Sequence, residues 1–510
     1  MKVFLLYRGV DFDPNQKLLP HVAALVQDLE MDRLFDAMAV GDPFLLDVAK
    51  KLLLSEPMQP ADILYRQQIL NDCLERPQVI REIYAIAVEA IESEKKVWGY
   101  LFGNYPEGLL RRSVEVLQIF VALLERLRKI TDERASEFHS EGMNRFFEMI
   151  TRELDDEYVA TMKAHLQGLE FKRGILISTE LGKGSKASQY ILRKPQDEKR
   201  GWREFLKKCM QQLSSGGDRA SLTYQIADRD EAGLRALSEL KGRGVSQVAI
   251  ALAQSTDHIL SFFTMLRLEL GFYISCLNLR DRLTSKGEPI CFPEPMPIGS
   301  ASFSVRGLYD VSLSLGMASR TMGNDVNAEG KTLMMITGAN RGGKSTLLRS
   351  IGLSQLMMQC GMFAPAERYR SDICVGLYTH FKREEDSSLK SGKLDEELSR
   401  MSGIVDGMKS HSMVLLNESF GSTNEREGSE IARQIVHGLL DSGIKVVYVT
   451  HMFDLANGYY LEKKETSIFL RAERLSDGSR TFRIVEGLPL PTSYGEDLYH
   501  RIFAQTSALS

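Results

Sequence analysis

Ten consecutive residues, TGANRGGKST (Thr337 to Thr346), close a hydrophobic run, LMMI, and lead into the helically spaced LLRSIGLSQLMM. Within them Gly338 to Ser345 fits G-x-x-x-x-G-K-[ST], with a strand-like segment before and a helix-like segment after, the context that pattern needs. Glycines permit positive φ and let backbone amides surround phosphate oxygens, and a helix amino terminus adds partial positive charge. The expected nucleotide contacts are therefore Gly338, Ala339, Asn340, Arg341, Gly342, Gly343, Lys344, Ser345 and Thr346, with Lys344 on the β- and γ-phosphates and the Ser345 hydroxyl on Mg²⁺. A second stretch, SMVLLNES (Ser412 to Ser419), is an apolar strand ending in a polar pair, and its Glu418 stands where a general base takes a proton from water or orients it. A third, KVVYVTH, ends in Thr450 and His451, polar side chains suited to sensing a terminal phosphate. Ligands of open α/β sheets lie at the carboxyl ends of the strands, and all three motifs fall at such ends.

Elements to position these groups are legible around them. Beta-type runs (KTLMMIT, SMVLLN, KVVYVTH) alternate with helical ones (LDEELSRMSGIVDGMK, SEIARQIVHGLLDSG), the signature of an α/β sheet. A closing hairpin is expected in SIFLRAERLSDGSRTFRIVEG, turning at Ser476 to Ser479, with a short helix after it. Lys344 and Glu418 are 74 positions apart, too few for a long coiled coil inserted between them, and no LSGGQ-like segment of the transporter type is present. In its place stands SLKSGKLDEELSRM, where Ser391 and Gly392 precede a helix whose amino terminus suits a further phosphate. With one chain's own loop already holding a nucleotide, this segment is free to cap that of a partner, which argues for a two-fold dimer with two composite sites.

Upstream, residues 1–162 are rich in Leu, Glu, Arg and Ala at three- and four-residue spacing; Leu110, Val114, Leu117, Val121, Leu124 and Leu127 form one apolar stripe, expected to be core. A second helical block covers 231–290, and two long antiparallel arms would satisfy both. Between them, 163–230 holds GILIST and SQYIL about a Gly/Lys-rich turn, a hairpin signal. From Lys163 to Lys208 twelve basic residues face five acidic ones, against a whole-chain net charge of −4. Such a local surplus reads either as a solvated loop or as a footprint for a phosphate backbone; Lys183, Lys186, Arg193 and Lys194 are the candidate contacts. A proline-bearing connection, Gly287 to Ser300, opens the 291–510 region.

The totals restrict the class further. A chain of 510 residues, 43% hydrophobic and 26% charged, has the composition of a soluble globular protein with several domains. Six scattered cysteines without a C-x-x-C or Cys/His cluster suggest neither a zinc site nor a disulfide framework. No signal peptide and no run approaching the roughly 20 apolar residues of a membrane span are expected, so the chain reads as cytoplasmic.

These residues resemble the MutS family of ABC-class ATPases. The likeness is close over about Leu308 to Ala504: GND (Gly323 to Asp325), TGANRGGKST, QCGMFAPAE (Gln359 to Glu367), Ser391-Gly392, LLNESFGSTNEREG, Thr450-His451 and TSYGEDL. The resemblance implies an α/β ABC-type P-loop ATPase domain preceded by an all-α core and lever domain with a small β-containing insertion. It further implies ATP and Mg²⁺ as cofactors, a dimer through the ATPase domains whose closure opens or shuts a ring around DNA, and room for a MutL-like protein partner. The chain also departs from the family. The Phe-x-Glu wedge of the mismatch-reading domain and the connector domain have no counterpart here, which argues against direct mismatch reading. Thr321 and Met322 stand where relatives often place residues against adenine. Asn417 occupies the position of the family's Mg²⁺-holding Asp; a carboxylate about 5 Å from a dication is worth several kcal/mol even at an effective dielectric of about 20, so slow turnover is expected. Two functions fit: a DNA-gripping ATPase, or an ATP-dependent switch remodelling a protein or ribonucleoprotein assembly. A small-molecule kinase leaves the arms unexplained.

Overall fold

The computed structural model describes residues 1–97, 106–171, 175–181, 187–193, 231–383, 392–475 and 479–491. Eight helices come first: α1 (Val22–Asp28), α2 (Asp32–Ala39), α3 (Pro43–Leu53), α4 (Pro60–Glu75), α5 (Pro77–Lys96), α6 (Pro106–Arg134), α7 (Glu141–Glu153) and α8 (Asp156–Leu169). Local chemistry marks their ends. At α3, Asp42 accepts the Phe44 amide at 2.8 Å, Pro43 takes the first turn, and Lys50 and Lys51 occupy the last, where cations favour the helix dipole.

A hairpin follows, β1 (Leu176–Leu181) with β2 (Ala187–Arg193), paired antiparallel from Leu176↔Arg193 to Leu181↔Ala187 with one irregularity at Thr179/Glu180. Next is α9 (Glu231–Thr284), 54 residues and so roughly 80 Å at 1.5 Å per residue. Over Glu239–Thr284 this helix is long and apolar enough to cross a membrane by length and composition, contrary to the sequence expectation. In its most apolar window 72% is buried within the protein, which is how a core helix behaves.

Two sheets complete the described chain. Their elements are β3 (Glu294–Met296), β4 (Phe303–Leu308), α10 (Val311–Gly316), β5 (Asn324–Asn327), β6 (Leu333–Gly338), α11 (Lys344–Gln359), β7 (Arg368–Asp372), β8 (Leu377–Phe381), α12 (Lys393–Val405), β9 (Met413–Asn417), α13 (Glu425–Asp441), β10 (Lys445–Val449), α14 (Phe453–Leu461), β11 (Ser467–Arg474) and β12 (Arg480–Glu486). The larger sheet runs β12-β11-β6-β10-β9-β8, parallel throughout except for the antiparallel edge strand β12. Every residue of β6 is buried, as expected of a parallel strand covered on both faces. The smaller sheet is ordered β3-β7-β4-β5.

By compactness the chain forms two units. One comprises Met1 with residues 85–133 and 148–264. Its α6 stripe of Leu110, Val114, Leu117, Val121, Leu124 and Leu127 is buried, and Phe120 packs on Phe263 with ring centroids 5.5 Å apart. The other comprises residues 2–84, 134–147 and 265–510. In it Glu269 of α9, fully buried, accepts the amides of Leu5 at 2.5 Å and Leu6 at 3.2 Å, and burial pushes its carboxyl up to about 7. Arg66 of α4 donates to Leu6 O and, at 2.9 Å, to Cys360 O at the end of α11. A cation there complements the carboxyl-terminal end of the helix dipole.

Candidate nucleotide site

The loop between β6 and α11 has a shape that only its glycines permit. Gly338 (φ 103°) and Gly343 (φ 93°) lie in the left-handed region, as does Arg341 (φ 59°). A Cβ on Gly338 would lie 2.9 Å from Ala472 N, and one on Gly342 would lie 2.5 Å from Ala472 Cβ, so the loop is pressed against β11. Gly343 serves as the α11 N-cap with no side-chain cap, which leaves the first amides of a well-buried helix open to an anion. Lys344, 5% exposed, donates to Gly338 O and Ala339 O, each at 2.9 Å. Burial lowers its pKa to about 8, with Glu418 acting in the opposite sense. Asn340 is exposed and its carbonyl meets Arg480 Nε at 3.4 Å; Thr346 lies in the first turn of α11, half-buried.

Sheet order brings the other motifs to this loop. β10 lies between β6 and β9, and the register places Val449 opposite both Ile336 and Asn417. Ser345 Oγ donates to Asn417 Oδ1 at 3.0 Å, so the two residues expected at a metal meet directly. Both offer oxygen, which suits a hard cation such as Mg²⁺, but neither brings charge. Among the described residues no group of three His, Cys, Asp or Glu is placed to hold a metal, so an ion here would lean on substrate phosphates. Glu418 Oε1 and His451 Nε2 are 2.9 Å apart. The His451 contact, then the charges of Lys344 and Lys382, lower the Glu418 pKa. Glu418 has φ 54°, a strained conformation for a residue with a side chain. Thr450 is buried, its hydroxyl accepting the Met452 amide at 3.0 Å. Lys382, Glu418, Thr450, His451 and Met452 line one open depression.

Three participants were not anticipated. Lys382 follows β8, its amide donating to Asn417 O at 2.9 Å, so it stands beside Glu418. The exposed ring of Phe482 belongs to a residue whose carbonyl would lie 3.3 Å from a Cβ on Gly343. Asn324, inside the GND segment, accepts the Ile484 amide at 2.7 Å and thereby fixes β12 beside the loop. Thr321 faces Glu288, which accepts both its amide and its hydroxyl at 2.8 Å, while Met322 is exposed.

Of the remaining expected residues, Gly392 is the exposed N-cap of α12, without a side-chain cap, and Ser391 lies outside the described residues. Arg193, exposed at the end of β2, donates from Nε to Ser178 Oγ at 2.6 Å. Lys183, Lys186, Lys194 and the TSYGEDL segment lie outside the described residues.

Comparison with known proteins accords with this arrangement. Residues 58–286 match the family model of the MutS2 N-terminal domain, and residues 334–501 match that of MutS domain V. The chain is similar to MutS protein homolog 4 of Mus musculus, at 27% identity over 179 residues, 34% of this chain and 19% of that protein. It is 31% identical over 169 residues to the DNA mismatch repair protein MutS of Thermotoga neapolitana, covering 33% of this chain and 21% of the relative. With the Endonuclease MutS2 of Thermus thermophilus it shares 31% identity over 127 residues, 25% of this chain and 17% of the relative. The matched part spans about a fifth of the length of these curated relatives. With a MutS-type domain over the glycine loop and strand ends, and a MutS2-type domain over the helices before them, the chain belongs to the MutS family.

Proposed function

We propose that this chain is an ABC-type P-loop ATPase that works as a dimer and couples ATP turnover to a clamp-like grip on duplex or branched DNA, without reading mismatches. The carrying observation is the convergence of Ser345 on Asn417, 3.0 Å apart, with the Glu418 and His451 pair beside them, 2.9 Å apart, at one edge of the sheet.

Each residue then has a task. The open amides of α11 and the Gly338 to Gly343 loop receive the phosphates. Lys344 exchanges its two loop carbonyls for phosphate oxygens, recovering as ion pairing what its burial costs. Ser345 and Asn417 would hold Mg²⁺, which when bound neutralises phosphate charge. Phe482 offers a ring for a base to stack on. Glu418, kept anionic by His451, Lys344 and Lys382, accepts a hydrogen bond from the attacking water; with its pKa lowered it is a weak base and acts chiefly by orienting that water. Gly392, at the uncapped α12 amino terminus, serves the nucleotide of a second copy in this reading. The MutS names of the relatives and the basic surplus of 163–208 support nucleic acid as the load.

The test is sizing of the full chain with and without a non-hydrolysable ATP analogue, alongside gel-shift titration against homoduplex, mismatched, four-way and RNA substrates. Analogue-dependent dimerisation with DNA binding blind to mismatches is expected. A chain that stays monomeric when saturated with the analogue sinks the dimer reading, and selective RNA binding moves the function to ribonucleoprotein remodelling.

A further inference from the structure

Behind Glu418 lies a buried polar cluster that the proposed reaction does not use. Glu418 and Phe420 both have positive φ, 54° and 63°, so the peptide carrying the carboxylate bends through two strained residues around Ser419. Such a bend persists only where its surroundings determine it. Ser419 is fully buried and is fixed three ways: its Oγ lies 2.6 Å from His380 O and 2.8 Å from His380 Nδ1, and its carbonyl accepts the Tyr448 hydroxyl at 2.6 Å. The single Ser419 hydroxyl proton goes either to the His380 carbonyl, with the ring proton on Nδ1, or to Nδ1, with the ring proton on Nε2 facing Glu397 O; the clasp is made in both. His380 Nε2 lies 3.1 Å from Glu397 O and 3.2 Å from Arg400 Nη2, both on α12, and the ring stacks on Phe420 with centroids 5.3 Å apart. Desolvation, then the Arg400 charge, lowers the His380 pKa to about 4, which keeps the ring neutral.

The far side of the cluster is helix α12. Arg400 also donates to Phe381 O at 2.8 Å, and buried Glu397 accepts the Ser422 hydroxyl at 2.9 Å. Glu397 Oε2 and Arg400 Nε and Nη1 are buried without a hydrogen-bond partner among the described residues. The Ser419 half of the cluster is saturated and the α12 half is not, so the α12 half can re-pair if the helix shifts.

We infer that His380 is a positioning residue: it clasps the strained Glu418–Phe420 peptide to α12, so that the placement of the catalytic carboxylate depends on the helix that serves a second nucleotide. This rests on the ATPase reading above. The test uses the full chain and follows ATP turnover, nucleotide affinity and thermal stability together. His380→Phe keeps the stack on Phe420 and removes both nitrogens; it should lower kcat about tenfold with nucleotide Kd within about twofold of wild type. Ser419→Ala should do the same, and the double variant should be no worse than either single one. His380→Asn, whose amide can present a hydrogen-bonding atom, donor or acceptor, where Nδ1 stands, should recover part of the loss. Turnover of His380→Phe within about twofold of wild type, losses that multiply in the double variant, or Asn no better than Phe each overturns the proposal. Wild-type chain that neither binds nor hydrolyses ATP overturns the reading beneath it and the clasp together.

Discussion

The edge of the large sheet and the basic hairpin are two regions with opposite relations between sequence and geometry. At the sheet edge, Ser345, Asn417, Glu418 and His451 come from three distant segments and meet within hydrogen-bond distance because β6, β10 and β9 are locked in register. The β1–β2 hairpin is a local two-stranded pair with Leu176 and Ile191 exposed, and its distinguishing feature is charge. Orientation-dependent chemistry needs the first kind of support, since displacement by about 1 Å can cost a hundredfold in rate. Attraction to a polyanion needs only density of charge and tolerates a loosely specified frame. Substitutions at the edge should therefore act sharply and singly, those at the hairpin gradually and in sum.

The sharpest break is Lys344→Ala, expected to weaken nucleotide binding by about a hundredfold or more, measured by titration with a fluorescent ATP analogue. The same lysine gives a pH signature. Its folded pKa, about 8, lies below its ordinary value, so wild-type affinity should fall as pH rises through 8. Folding stability, by contrast, should rise from pH 8 toward 10.5, because over that window the unfolded chain binds the extra proton. A pH-independent affinity from 7 to 10 would separate Lys344 from the phosphates. Next, Glu418→Gln should reduce turnover by about 10² to 10⁴ while keeping nucleotide bound and trapping the dimer; normal hydrolysis removes Glu418 from its role. At the hairpin, replacing Lys183, Lys186, Arg193 and Lys194 together by Gln should weaken duplex binding and flatten its salt dependence by about 0.9 in log–log slope for each phosphate no longer neutralised. An unchanged slope would place the DNA-binding surface elsewhere. The smallest effect should come from Asn417→Asp, which restores a charge beside Ser345: steady-state ATPase should show several-fold faster turnover at a lower Mg²⁺ requirement, and equal or lower values would dismiss the amide as the brake.

Much of the edge was legible in the chain. β6, β9 and β10 are short apolar runs closed by polar residues, α11 and α13 carry helical spacing, and α13 opens with Asn424 accepting the Glu427 amide at 3.0 Å, a recognisable cap. What escaped was β8, LYTHF, where Thr379 and His380 are both buried; a polar pair inside a five-residue strand carries no alternation to detect. Lys382 and the clasp escaped with it. Asn417 was visible as an anomaly, but only the fold shows that its oxygen already receives the Ser345 proton. The apolar character of α9 was underestimated because its charged residues are spread along 54 positions rather than absent.

The resting place of Gly338 and Gly342 on Ala472 makes the nucleotide loop a two-part mould, one half supplied by a strand more than a hundred residues downstream. A bulkier side chain at 472 would act as a shim, lifting the floor of the cradle without altering any of its ten residues.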